Sequence, residues 1–246
     1  MKVALFLPCY VDQFFPDVGF AVLRTLETHG VTVDYPTEQT CCGQPLVNSG
    51  APEDARRLAE RFYSIFGGYD YVVCPSGSCT AMVRHHFDPF FQSVPEFHSF
   101  CHRVLELCEF LHDVLNVRSI EAACPHKVGL HQSCHGLREL RLSRSSERME
   151  PDFSKVRTLV GSLKGIELIG LSRADECCGF GGTFAVTEAA VSVQMGRDRL
   201  SDHLEAGAEI ITGVDMSCLM HLDGLIRRQG LPLRVKHVAE LFAGQA

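Results

Sequence analysis

No stretch of the 246 residues approaches the run of ~18–20 apolar side chains that a membrane-spanning helix requires. Positive charge is also in short supply. Lys and Arg number 23 against 30 Asp and Glu, a formal charge of −7, which is the reverse of a nucleic-acid-binding surface. The opening VALFL behind one lysine is too short for a signal peptide, has no small-residue cleavage site and soon meets Asp12. These absences predict a cytoplasmic protein with no nucleic-acid partner and no membrane span. Close C-x₂₋₄-C zinc knuckles are missing from the repeated cysteines too: thirty-one residues lie between Cys9 and Cys41. What is present, 46% hydrophobic and 22% charged residues with 21 glycines and 11 prolines, describes a folded globular chain.

Twelve cysteines stand out against that background. A reducing compartment disfavours disulfides, so clustered thiols there point to metal binding or redox work. Eight of the twelve belong to an internal repeat. KVALFLPC, ending at Cys9, matches KVGLHQSC, ending at Cys134; Cys41-Cys42-Gly43 matches Cys177-Cys178-Gly179; YVVCPSGSC, ending at Cys79, matches IITGVDMSC, ending at Cys218. The three landmarks keep their order at separations of 125, 136 and 139 residues, the mark of a duplicated unit with small insertions.

Each half reads as strand, helix, strand, CCG turn, helix, strand and a cysteine-bearing turn. VALFL, VTVDY and YVV are the strands of the first half. Its helices carry Val18, Val22 and Leu26, then Ala55, Leu58, Ala59, Phe62 and Phe66 behind Pro52. VGL, IELIG and EIIT are the strands of the second. Its helices run through Val156, Leu159, Val160 and Leu163, then through Val186, Ala190, Val193, Leu200 and Leu204. The alternation predicts an α/β fold: two duplicated parallel-sheet units related by a pseudo-two-fold, residues 1–120 and 121–246, with helices on both faces of each sheet. FDPFFQSVPEFHSF, residues 87–100, reads as a loop capping the core or as a docking surface, the first being the reading taken. RELRLSRSSERMEPD reads as a solvated helix end or loop.

In open parallel sheets ligands gather at the carboxyl ends of strands. The repeated cysteines all follow directly on predicted strands. Cys9, Cys41, Cys42 and Cys79 therefore converge in one half, and Cys134, Cys177, Cys178 and Cys218 in the other. Cys101, Cys108 and Cys124 do not recur and suit a packed interior. Scattered thiolates that include adjacent pairs favour iron–sulfur clusters, with zinc as the alternative metal. Glycine after Cys-Cys lets backbone N–H groups approach sulfur. His131 and His135 flank Cys134: each reads as a ligand, as a donor to sulfur or to a substrate carboxylate, or as ordinary structure. The last is preferred for His131 and left level for His135. Arg84 and Arg138 follow the cysteine turns as candidate carboxylate holders. G-x-G-G at Gly179–Gly182 lacks a dinucleotide fingerprint.

CCGQPLVNSG, PSGSC, SCH, CCGFGGTF and SCLMH together resemble the cysteine-rich CCG family, as found in heterodisulfide reductase and in the iron–sulfur subunit of glycolate oxidase. The resemblance runs from Cys9 to His221 and is closest to its lactate-utilisation group. It implies an iron–sulfur electron-transfer subunit of a cytosolic complex that oxidises L-lactate, or a related 2-hydroxyacid, to pyruvate beside a ferredoxin-like iron–sulfur partner. The heterodisulfide-reductase pattern ends in C-x-x-C and supplies five thiols for an unusual cluster. Here Ser76 and Asp215 occupy the earlier of those two positions. Cys74 is a candidate fifth thiol in the first half. Asp215 is a candidate oxygen ligand in the second, or a group that supports the ligands or caps the helix. A conventional 4Fe–4S cluster and a labile or empty site both stay open there. A metal-free thiol–disulfide oxidoreductase and a zinc-stabilised assembly module are the competing functions.

Overall fold

In the computed structural model of the protein, residues 1–92 and 94–246 are described. Two four-stranded sheets organise them. The first contains β1 (Val3–Leu5), β2 (Val33–Asp34), β3 (Tyr71–Cys74) and β4 (Val104–Glu106), in the order β2-β1-β3-β4. The second contains β5 (Lys127–His131), β6 (Glu167–Leu168), β7 (Ile210–Gly213) and β8 (Arg234–His237), in the order β6-β5-β7-β8. Every strand pairing is parallel. The duplicated α/β architecture is therefore present, with one strand more per half than the sequence pattern suggests. β4 and β8 leave little trace in that pattern because they are short and mixed in character: RVKH has no apolar run, and VLE ends in a carboxylate.

Local chemistry explains the helices around the first sheet. Pro16 sits in the first turn of the helix Pro16–Thr28, which buries Val18, Val22 and Leu26 and stops where Gly30 turns left-handed at φ 76°. Pro52 likewise opens Pro52–Phe66, whose first turn carries Glu53 and Asp54 and whose inner face is Ala55, Ala59, Phe62 and Phe66. The phenylalanine-rich segment is core. Phe87, Phe90, Phe91, Phe97 and Phe100 are all buried; Phe87, Phe91, Phe97 and Phe100 pack on Phe62 or Tyr63 with ring centroids 5.2–6.1 Å apart, and Phe90 meets Phe87 at 6.2 Å.

The second half departs from expectation at its long helix. Two helices, Phe184–Thr187 and Ala189–Glu205, meet at Glu188. Val186 is 81% exposed and Ala190 is also exposed. The buried stripe is Ser192, Gly196, Arg199, Leu200 and His203, largely polar and so invisible to a search for apolar periodicity. The helix over Val156, Leu159 and Val160 ends at Val160, and Leu163 is buried just beyond it. In the charged segment, Ser143 and Ser154 form an isolated antiparallel bridge while Leu140 and Leu142 are buried beneath it.

The halves exchange contacts reciprocally. The helix after β8, Val238–Phe242, packs on Pro16–Thr28 of the first half. The helix after β4, Leu107–Glu109, packs on Lys155–Val160 of the second. Between them lies an antiparallel bridge from Ser76 to Asp215. These are equivalent positions in the repeat, so the bridge sits on the pseudo-two-fold. Glu106 and His237 are equivalent too. Each is fully buried at the carboxyl end of its strand and caps the next helix: Glu106 accepts from the N–H of Cys108 at 2.7 Å, and His237 from that of Ala239 at 3.2 Å.

Burial pushes the Glu106 carboxyl up from 4.5 to about 8. The folded state therefore holds a proton that the unfolded chain releases, and this contribution to stability, full at low pH, is lost as pH rises from about 4.5 towards 8. Glu106→Gln mimics the protonated carboxyl and removes that dependence. In urea titrations, the stability of the wild type relative to Glu106→Gln should fall across this window by up to about 1.4 kcal/mol per pH unit.

Candidate metal centre

Each thiol reaches its place for a local reason. Cys9 opens the helix Cys9–Phe14 just past β1. Cys79 lies in the first turn of Gly77–Ala81, where the Ser76 hydroxyl accepts its N–H at 3.3 Å. Cys218 has the same place in Met216–Gln229, capped by Asp215. Cys134 stands at the mouth of β5, before the wide turn of His135–Glu139. The CCG turns need their glycines. Gly43 and Gly179 have φ 83° and 86°, and a side chain at Gly179 would lie 2.6 Å from Met195 Cβ.

The first quartet brings Cys9 Sγ within 4.0 Å of Cys41 Sγ and Cys42 Sγ within 3.3 Å of Cys79 Sγ. In the second, Cys177 neighbours Cys134 and Cys178, and Cys178 neighbours Cys218, closely enough for each to shift the other's ionisation. The two sulfur–sulfur separations are well beyond a disulfide bond, and all twelve cysteines are free thiols. The same thiol is held ionised in each half. Hydrogen bonds from Cys42 and then Cys9 bring Cys41 down to about 3. Those from Cys134 and then Cys178 bring Cys177 down to about 2. Their donating neighbours are pushed up in turn. Backbone amides add to the anion's support: Gly43 N–H donates to Cys41 at 3.4 Å, Gly179 N–H to Cys177 at 3.4 Å and Phe180 N–H to Cys178 at 3.5 Å.

Sequence alone places each quartet at the edge of its own sheet. The structure adds that both edges face each other. All eight thiols line one cavity. Tyr10 and Phe180 meet edge-on, centroids 5.8 Å apart, in its wall. Gln44 of the first half reaches His135 Nε2 of the second at 3.2 Å. The donor set, four converging thiols with one already ionised and backed by amides, fits a thiolate-bound metal or iron–sulfur cluster in each half.

The auxiliary candidates divide. His135 is on the cavity wall, its Nδ1 3.7 Å from Cys134 Sγ. Asp215 faces the cavity, but its oxygens are engaged: Oδ2 accepts the Ser78 N–H at 2.7 Å across the seam, and Oδ1 accepts from the N–H and hydroxyl of Ser217. That is capping and stapling. Cys74 lies behind the wall, fully buried, with the Ser76 carbonyl 3.8 Å from its Sγ. Cys101, Cys108 and Cys124 are core residues as expected. Arg84 donates to Glu109 at 2.7 Å and Arg138 to Glu147 at 3.0 Å, so neither points into the cavity. His131 is buried, as a core histidine would be, and one of its ring nitrogens also lies within 4.8 Å of Cys178 Sγ and Cys218 Sγ.

A family model described as a cysteine-rich domain, CCG, matches residues 3–84 and 128–223, one match over each sheet's thiol-bearing part. The chain belongs to the CCG cysteine-rich family. Among curated relatives, Lactate utilization protein A of Shouchella clausii is 41% identical over 247 residues, 98% of either chain. Lactate utilization protein A of Geobacillus thermodenitrificans is 40% identical over 246 residues, again 98% of either chain. Among solved structures, a hypothetical protein from Helicobacter pylori superposes with a TM-score of 0.65 at 9% identity, a likeness of fold. The match covers 98% of this chain and 48% of that one, so this chain spans about half its length.

Cys41 and Cys177 combine an ionised sulfur with partial exposure. In the metal-free chain, brief alkylation near pH 6 should label these two first and leave Cys101, Cys108 and Cys124 unlabelled. Peptide mass mapping of the modified sites checks the order.

Proposed function

We propose that this protein is an iron–sulfur electron-transfer subunit of a cytoplasmic system that oxidises L-lactate, or a related 2-hydroxyacid, to pyruvate. The observation that carries the reading is the convergence of two thiol quartets on one cavity. The lactate assignment leans on relatives named Lactate utilization protein A that match end to end at about 40% identity. The units are taken as residues 1–120 and 121–246, each holding one centre. Cys9, Cys41, Cys42 and Cys79 would hold the first, and Cys134, Cys177, Cys178 and Cys218 the second.

Iron–sulfur clusters, when bound, supply a one-electron carrier at each quartet. The chain's own residues make such carriers workable. Amides of Gly43, Gly179 and Phe180 donate to sulfur and offset the negative charge that gathers there. Tyr10, Phe180 and the buried faces of the two cysteine turns limit water around the sulfurs. The seam from Ser76 to Asp215 fixes the distance between quartets, and a shared cavity keeps that distance short. A ferredoxin-like iron–sulfur protein of the same system is the proposed electron partner.

Anaerobic purification should yield a coloured protein containing iron and acid-labile sulfide. Cys42→Ser and Cys178→Ser should each lose the metal of one half. Cys101→Ser and Cys108→Ser should keep both and cost about 1 kcal/mol of stability. Lactate-dependent electron transfer in the assembled system should vanish in Cys177→Ser and Cys178→Ser and fall less in Cys74→Ser. A colourless protein with stoichiometric zinc would replace this reading with a shape-holding module. A metal-free protein whose thiol count changes on dithiol treatment would replace it with thiol–disulfide exchange.

A further inference from the structure

Aligning KVALFLPC on KVGLHQSC sets Phe6 against His131. The layer behind each quartet differs accordingly. Phe6 is fully buried and meets Phe62 and Phe66 edge-on, with centroids 4.9 and 5.7 Å apart. These rings offer a metal no donor atom. Behind the second quartet the layer is polar. His203 packs so closely over Gly129 of β5 that any side chain there would overlap its ring. Arg199 is fully buried and pairs with Asp202 at 2.5 Å.

His131 lies between this layer and the sulfurs. It is 2% exposed, and neither ring nitrogen has a hydrogen-bond partner among the described residues. Leaving a buried polar group unpaired is costly, so such a group calls for a partner that only binding supplies. One nitrogen, Cys178 Sγ and Cys218 Sγ all lie within 4.8 Å of one another. An imidazole with an unclaimed lone pair beside two thiols is a mixed nitrogen–sulfur donor set.

We propose that His131 is a nitrogen ligand of the second metal centre, making that centre imidazole–thiolate while the first is bound by thiolates alone. This rests on the quartets holding metal. The two centres are then chemically unequal despite their common origin. A neutral imidazole donor favours the reduced state. The apolar Phe6 layer offers the first centre no such donor. The groups around His131 are Arg199, His203, Cys177 and Asp215. The second centre is therefore the higher in potential of the two, and an electron entering the chain comes to rest there.

The test uses the full chain, reconstituted anaerobically with ferrous iron and sulfide, then reduced and examined by pulsed electron paramagnetic resonance. The wild type should show strong nitrogen coupling, altered when the protein is grown with ¹⁵N-histidine. The isotope measurement needs no mutant and so does not depend on a variant folding. His131→Phe, which installs the first half's own residue, should lose the coupling and bring the two midpoint potentials together. Iron at both quartets without nitrogen coupling would overturn the proposal and leave the thiol quartets standing. Coupling that persists in His131→Phe would overturn it as well. Failure of the wild type to take up iron would remove the quartet reading itself.

Discussion

Negative charge gathered on sulfur, away from bulk water, is the constraint on which the rest of this structure depends. Four thiols that share a site cannot all ionise without help. In each half one sulfur, Cys41 or Cys177, takes the charge and its neighbours donate to it. The remaining support comes from amides, and amides point at sulfur only if the backbone turns in the left-handed region. That requirement accounts for the glycine after each cysteine pair. The parallel sheets meet the other requirement, because strand ends on one edge deliver cysteines from distant parts of the chain to one place.

Duplication then brings two such edges face to face. The seam between them is polar where it crosses the pseudo-two-fold: Asp215 holds the Ser78 N–H from across the interface, and Gly77 N–H donates to the Val214 carbonyl at 3.1 Å. It is apolar away from the axis, where Leu26 and Val22 share a core with Leu241, Phe242, Leu159 and Val160. Cysteine turns on opposite sides are thereby fixed by the same contacts that hold the halves together. Rigidity of that kind keeps reorganisation small when charge changes at a site.

Symmetry is broken in the layer one step behind the sulfurs. Aromatic rings fill it in the first half and a buried imidazole pair with an arginine fills it in the second. Burial pushes His131 down to about 4 and His203 to about 3, so both rings are neutral near pH 7 and available as donors of a lone pair or a proton. The polar stripe of Ala189–Glu205 lines this layer, and Ala190 on the same helix faces outward.

The repeat, the α/β class, the central strands and the eight converging cysteines were legible in the sequence. Each follows from local pattern: apolar runs that must be buried on both faces, a glycine that a left-handed turn demands, a cysteine directly after a strand. The edge strands β4 and β8 were not legible, since a strand of three or four residues with charged members draws its stability from its neighbour and not from its own pattern. Nor was the fate of His131, because burial beside sulfur depends on which residues stand on β5, β7 and the helix behind them. The sequence by itself determined that each half gathers four thiols. Only the tertiary structure decided that both sets share one cavity and that one has an imidazole behind it, because those facts are distances between groups far apart along the chain.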